Sequence, residues 1–337
     1  MFMMKFKKII ALMLVIVSVF SLAACGGIGG TEKTTASEIE LAPTAQENAV
    51  SDPDRGENKV RMSAISAVGG FPLLRLELDR GYGYTIVERG VDSMKSAQLL
   101  KEKKADIASV RVEALPAIAA QTDIVVIAGL NNLVVSAVVK SDSEAESIKD
   151  FSGKTVYCGG KDSIAQYATE KAFADAGVKA ELVFMADDEV SQKIKSGEAE
   201  YFVLREPQAV YAVAENKDYK RVFEVVKADD GMADSCLVAR ADFVAENPEI
   251  LKETVIHVES CTNSLCTEGG MLYTATEFVK AGYFSSNETA SQAITHSGIK
   301  FTEKDEMKEA VNGTLEFAGR YNSDLKPLDD GTFLLNN

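Results

Sequence analysis

The chain has 337 residues, 46% hydrophobic and 26% charged, a balance that suits a globular protein and excludes a wholly disordered one. With 51 Asp and Glu against 36 Lys and Arg, its formal charge of −15 leaves no basic footprint for a nucleic-acid partner. Two histidines, His257 and His296, give little material for a His-rich metal site or His-based catalysis.

The N-terminus reads as an export signal. Lys5, Lys7 and Lys8 precede Ile9–Leu22, which is apolar apart from Ser18 and Ser21. Leu22-Ala23-Ala24-Cys25-Gly26 resembles a bacterial lipobox, which implies cleavage after residue 24 and a lipid on Cys25. Loss of three lysines and no acid makes the remaining chain still more acidic, so attachment to an anionic membrane surface falls to the lipid. Residues 25–58, with Gly26-Gly27, Gly29-Gly30, Pro43 and Pro53 and no hydrophobic period, read as a flexible tether. A tether of that length reaches about 30 Å.

The body alternates short strands and helices. Val60–Ala67 is a strand, Gly69-Gly70 breaks it, and Phe71-Pro72 opens a helix with Leu74 and Leu78 on one face. Thr85–Glu88 is the next strand. Ser93 caps a helix through Lys103, Ala105–Val110 is a buried strand, Val112–Ala120 is helical, and Ile124–Ala128 is a strand. This alternation predicts parallel sheets with right-handed crossovers.

A second series starts after Lys140. Lys154–Cys158, Glu181–Met185 and Glu200–Leu204 are strands. Ser163–Ala176 is a helix closed by Gly177, and a helix capped by Asp187 ends at Gly197. The two series finish alike. Ala105–Arg111 is followed by Glu113, and Ala199–Arg205 by Glu206-Pro207, a weak internal echo that favours two similar lobes.

The chain then returns through the strand-like Ser235–Arg240. Asn247-Pro248 begins a helix carrying Leu251, Val255, Val258, Thr262 and Leu265. Thr302–Tyr321 is a further helix, with Thr302 and Asp305 placed like a capping box. The expected architecture is α/β, with two parallel-sheet lobes joined by crossing segments near Val134–Lys140 and Ser235–Arg240. Lobe 1 takes residues 59–137 and 239–337; lobe 2 takes 138–238.

Several segments together resemble the extracytoplasmic solute-binding proteins of ABC importers, of the nitrate/sulfonate/taurine and thiamine-pyrimidine-precursor type. They are the lipoprotein start, the strand–Gly-Gly–helix opening, Ala105-Asp106-Ile107-Ala108, Ile148–Val156, Ser196–Glu200 with Glu206-Pro207, and Val238–Phe243 with Asn247-Pro248-Glu249. The resemblance covers about Val60–Leu265. It implies a type II periplasmic-binding-protein-like fold, a small-molecule solute, an ABC importer permease as partner, a monomer outside the cell membrane, and no cofactor. The family's frequent Gly-Tyr-Phe is here Gly81-Tyr82-Gly83, and the Trp that often precedes its Glu-Pro is here Arg205. Both departures touch ligand recognition.

In such sheets ligands sit outside the carboxyl ends of strands. Three places satisfy this. Ser66, Gly69, Gly70 and Phe71 precede the first helix, and Gly160 and Ser163 precede the first helix of lobe 2; both loops offer free N–H groups. Ser109 and Arg111, with Arg205 and Glu206, form the echoing strand ends, where an arginine grips a carboxylate or sulfonate with two prongs. Asn131 adds neutral hydrogen bonds. Against these stand plainer readings: the glycines and Asn131-Asn132 as turns, Arg111 paired with Glu113, Arg205 paired with Glu206 or a surface acid, and Glu206 as receiver of a cationic or amino-bearing ligand. Tyr82, Tyr84, Tyr157 and Tyr167 are either core residues or stacking partners for a flat ring.

Beyond Cys25, the cysteines Cys158, Cys236, Cys261 and Cys266 are expected as buried free thiols, with a Cys158–Cys236 bridge as the lesser alternative. The favoured function is a lipid-anchored, non-enzymatic receptor that traps a small organic anion between its lobes for an importer. The alternative solute is a pyrimidine or thiamine precursor. Other classes are a surface sensor or adhesin, and an enzyme: some members of the resembling family make a pyrimidine phosphate with a histidine and a cysteine-rich motif. Neither His257 nor His296 lies in such a motif.

Overall fold

The computed structural model describes residues 60–79 and 83–335. The signal sequence, Cys25, the 25–58 tether and Tyr82 lie outside the described residues.

Two sheets organise the chain. The first takes β1 (Val60–Ile65), β2 (Tyr84–Val91), β3 (Ile107–Arg111), β4 (Ile124–Asn132), β10 (Ala233–Arg240) and β11 (Ile299–Thr302), in the order β11-β4-β10-β3-β1-β2. The second takes β5 (Val135–Lys140), β6 (Thr155–Cys158), β7 (Glu181–Phe184), β8 (Tyr201–Arg205) and β9 (Tyr219–Val226), in the order β7-β6-β8-β5-β9. The expected all-parallel sheets are mixed. β10 runs antiparallel to β3 and β4, and β5 antiparallel to β8 and β9, because both strands enter their sheet from the other lobe.

The sheets repeat one plan. β3 lies between parallel β1 and antiparallel β10; β8 lies between parallel β6 and antiparallel β5. Arg111 and Arg205, the last residues of β3 and β8, therefore hold equivalent places in their lobes. The sequence echo has a topological basis.

The crossings differ from expectation. Val134–Lys140 is almost wholly β5, a strand of the second sheet, reached from β4 through Leu133 and Val134 alone. Ser235–Arg240 lies in β10 of the first sheet, so the return crossing falls earlier, at residues 227–232. The expected boundaries at 137/138 and 238/239 thus cut through paired strands.

Helices cover the sheets. α1 (Phe71–Leu78) has Pro72 in its first turn, where a missing N–H costs nothing. α2 (Ser93–Lys101) is capped by Asp92, whose side chain accepts from Lys95 N–H at 2.8 Å; the expected cap, Ser93, lies inside the helix. Val112–Ala120 divides into a 3-10 turn and the short α3 (Leu115–Ala119). Lobe 2 carries α4 (Ile164–Asp175), α5 (Asp187–Ser196), closed by Gly197 at φ +71°, and α6 (Gln208–Glu215). The returning chain forms α7 (Ala241–Glu246), α8 (Pro248–Leu265), α9 (Glu268–Lys280), α10 (Asn287–Thr295) and α11 (Lys304–Gly319). The expected Thr302–Asp305 capping box is absent, since Glu303 is the N-cap of α11 and makes no side-chain cap bond.

One apolar cluster lies mostly in lobe 1, with Val210 of α6 added, and gathers Phe71, Phe278 and Phe284 with Leu74 and Leu237. A second runs through the junction, joining Leu100, Val110 and Leu115 of lobe 1 to Val135, Phe151 and Val156 of lobe 2. Burial of these side chains stabilises each by roughly 1.5–3 kcal/mol. Both lobes therefore share a continuous apolar base beneath the polar junction.

Candidate solute-binding site

The ends of β3 and β8 meet where the lobes face each other. Arg205 reaches out of lobe 2 and donates from Nη1 to Glu113 Oε1 at 3.0 Å and from Nη2 to Glu113 Oε2 at 3.3 Å. Its Nη2 also pairs with Asp234 Oδ1 on β10. Arg111 Nη1 approaches the same Asp234 oxygen at 3.6 Å. The second Asp234 oxygen accepts from Asn131 Nδ2 at 3.0 Å and from Ser235 Oγ at 3.2 Å. Two arginines and two carboxylates from both lobes thus neutralise one another.

Burial makes these pairings matter. The side chains of Arg205 and Asp234 are 7% and 2% exposed. Burial pushes the Asp234 carboxyl upward, but Arg205 and Arg111 outweigh it and hold the group below the usual aspartate value. Burial likewise pulls on Arg205, yet Asp234 and Glu113 raise it above the ordinary arginine value. Arg111 is lowered, by burial first and by the like charge of Arg205 second.

The glycine loop before α4 is similarly answered from within. Gly160, at φ +72°, donates its N–H to Asp187 Oδ1 at 3.0 Å. Ser163 Oγ donates to Gly160 O at 2.5 Å, and Gln208 Nε2 to Asp187 Oδ2 at 3.5 Å. An acidic side chain from α5 occupies the place where an anion would take the loop's N–H. Across the junction, Arg111 also feels the Asp187 carboxylate, beside Glu113 and Asp234.

Several expected contacts have other duties. Phe71 is buried in the lobe 1 core, its ring edge-on to Phe278 and Phe284, and does not line the junction. Ser109 Oγ accepts the Ile65 N–H at 3.1 Å and ties β1 to β3. Gly69 and Gly70 are buried, and close packing requires them. A Cβ on Gly69 would lie 2.5 Å from Ser235 Cβ, and one on Gly70 2.3 Å from the Ile65 carbonyl oxygen. Ser66 is exposed beyond β1. Glu206 pairs with neither Arg205 nor solvent: its Oε1 accepts from Ser136 Oγ and Arg221 Nε, both at 2.6 Å. Burial raises its carboxyl, against the opposing pull of Ser136 and Arg221.

Asn131 is fixed in orientation, since its Nδ2 also donates to the carbonyls of Asn132 at 3.2 Å and Ser297 at 3.4 Å. Its Oδ1, Gln208 Oε1 and Arg205 Nε are buried and have no hydrogen-bond partner among the described residues. With Arg111 Nη1, which is also buried without a hydrogen-bond partner among the described residues, two acceptors and two donors stand at the junction. Nothing local in the sequence singles out Asp187, Gln208 or Arg221 as members of the site. Asp234 carries a faint signal, as a charge at the head of an otherwise apolar run.

The tyrosines already have ring partners. Tyr167 stacks on Tyr321 at 4.9 Å, Tyr157 packs on Phe202, and the Tyr84 hydroxyl shares a 2.7 Å hydrogen bond with His257 Nδ1. His296 bonds Gln292 through Nε2. Neither histidine joins the junction. Cys158, Cys236, Cys261 and Cys266 are free thiols, and Cys266 is exposed where burial was expected. Among the described residues no His, Cys, Asp and Glu group is placed to hold a metal, and no helix is long and apolar enough to cross a membrane.

Residues 81–288, more than half of the chain, match the family model described as NMT1/THI5 like. The chain belongs to the NMT1/THI5-like family. No curated protein sequence matches it. Among solved structures, this NMT1/THI5-like chain is similar to an ABC transporter from Parabacteroides distasonis, at 15% identity and a TM-score of 0.67, over 83% of this chain and 100% of that one. It is similar to the alkanesulfonate-binding protein SsuA from Xanthomonas axonopodis pv. citri bound to MOPS, at 11% identity and 0.62, over 83% and 99%. The aliphatic sulphonate-binding SsuA from Escherichia coli gives 14% and 0.62, over 81% and 90%. These likenesses establish the fold of the NMT1/THI5-like chain as the two-lobed, type II periplasmic-binding-protein fold.

Proposed function

We propose that the protein is an extracytoplasmic receptor that captures a small solute between its lobes and hands it to an ABC importer permease, held at the membrane by a lipid on Cys25. One observation carries the binding role: a buried polar junction assembled from both lobes, with Asn131 Oδ1, Gln208 Oε1 and Arg205 Nε lacking partners among the described residues. A solute that meets groups from both lobes stabilises the closed arrangement, because only that arrangement supplies both sets of contacts. The membrane side of the reading is supported by the lipobox-like Leu22–Gly26 and by the ABC transporter named among similar structures.

The solute that fits best is an uncharged nitrogen heterocycle of the pyrimidine type. Its N–H groups would meet Asn131 Oδ1 and Gln208 Oε1, and a ring nitrogen would accept from Arg205 Nε. Arg205 already holds Glu113 and Asp234, Arg111 faces Asp234 at 3.6 Å, and the Gly160 N–H already holds Asp187. A small sulfonate remains as second reading, supported by the sulfonate-binding proteins of the same fold.

A thermal-shift screen of pyrimidines against alkanesulfonates tests this. A ligand at 100 times its Kd adds about 2.7 kcal/mol of stability, an easily seen shift. Stabilisation by a sulfonate alone would reverse the order of the two solutes. Native mass spectrometry of protein purified from its source identifies a retained molecule directly.

A further inference from the structure

We infer that Glu113 is the charge selector of the junction: its carboxylate fills the two-pronged edge of Arg205 that an anionic solute needs, so the wild-type protein turns organic anions away. The inference rests on the binding role proposed above and names the residue that sets its selectivity.

The geometry is that of an arginine with a bound carboxylate, supplied here by the opposite lobe. Both Nη groups of Arg205 donate to the two Glu113 oxygens, at 3.0 and 3.3 Å. This parallel fork is the strongest way for a guanidinium to hold a carboxylate or sulfonate. An incoming anion must replace an interaction of equal kind. It would also leave Glu113, whose side chain is only 17% exposed, without its cation.

Of the two carboxylates on Arg205, Glu113 is the exchangeable one. Asp234 is more deeply buried and is also held by Asn131 and Ser235. Glu113 stands on the 3-10 turn Val112–Ala114 just beyond β3. Of the other donors suited to an anion, Gly160 N–H is held by Asp187, and Arg111 Nη1 faces Asp234 at 3.6 Å without a hydrogen bond. An uncharged solute displaces neither acid and can use the unpartnered Asn131 and Gln208 oxygens.

Isothermal titration of methanesulfonate into the wild type, Glu113→Ala and Glu113→Gln tests the selector. Glu113→Ala frees Nη1 and leaves Nη2 shared only with Asp234, and methanesulfonate should bind the variant at least about tenfold more tightly than the wild type, the scale of a charge-assisted hydrogen bond. Added salt should weaken that gain. Glu113→Gln, nearly isosteric, should gain less because its amide oxygen still accepts from Arg205; it also keeps the test alive should the alanine variant fold poorly. Adding Arg205→Lys to Glu113→Ala should abolish the gain, which a merely structural role for Glu113 would not produce. Equal methanesulfonate affinity in wild type and variants, or no gain in variants with native circular dichroism, overturns the inference. The same titrations with 4-aminopyrimidine keep the two ideas apart. If the wild type binds it while Glu113→Ala gains no anion, the function stands and the selector falls.

Discussion

Glu206 Oε1 accepts from Arg221 Nε, fifteen positions further along the chain, at 2.6 Å, while its neighbour Arg205 turns across the lobes to Glu113. Arg221→Met would leave the buried Glu206 carboxylate with the Ser136 hydroxyl and the Val210 backbone but no cation. Urea denaturation should show a loss of about 3 kcal/mol, the usual cost of stranding one member of a buried pair. Adding Glu206→Gln to that variant should restore part of the loss. A double variant as unstable as the sum of the singles would mean that the pair contributes no coupling.

Asp234 should govern part of the acid stability. Its folded carboxyl lies below the ordinary aspartate value, because Arg205 and Arg111 outweigh burial. A depressed carboxyl contributes stability that is present above its unfolded value, and that contribution is lost as pH falls toward the folded value. The window therefore opens below about pH 4. The melting-temperature difference between wild type and Asp234→Asn should be large at neutral pH and shrink below that point. A constant difference from pH 7 to pH 2 would contradict the assignment.

Two glycines should respond oppositely to alanine. Gly69→Ala forces a methyl to within 2.5 Å of Ser235 Cβ and should cost about 1–3 kcal/mol. Gly313 lies inside α11, where an added methyl would meet nothing within 4 Å, so Gly313→Ala should add about 0.8 kcal/mol through helix propensity. Guanidinium denaturation of both variants separates close packing from chain stiffness.

Thiol labelling should find one accessible site in the described body. Cys266 is exposed, whereas Cys158, Cys236 and Cys261 are buried, and burial pushes Cys261 up to about 11. Burial also raises Cys266, so its labelling should be slow at neutral pH and quicken as pH rises. Cys266→Ser should remove the native-state reaction, and denaturant should release the other three thiols. Rapid labelling of Cys158 or Cys236 in the native protein would contradict their burial.

Local chemistry was legible and distant pairing was not. Pro72 opening α1, Gly197 closing α5 and Pro248 opening α8 announce themselves within a few residues. β5 is a short apolar run whose partners β8 and β9 lie far along the chain, so it reads equally well as a link. β9, largely half-buried with interspersed charges, lacks the alternation that marks a strand. The site divides in the same way. The sequence places Arg111 and Arg205 at strand ends, but names as partners only their neighbours Glu113 and Glu206 or an unspecified surface acid. The actual partners, Glu113 for Arg205 and Arg221 for Glu206, come together only when the sheets are built.

The mutual neutralisation at the junction has a kinetic consequence. Opposed charges held within hydrogen-bonding distance produce a field that dies away over a short range, so they offer no long-distance pull to a diffusing molecule. For an uncharged solute, the association rate should then barely change between dilute buffer and physiological ionic strength, even though the chain carries a net charge of −15. On the proposed closing of the lobes around a solute, fast capture depends on how often they stand open when it arrives.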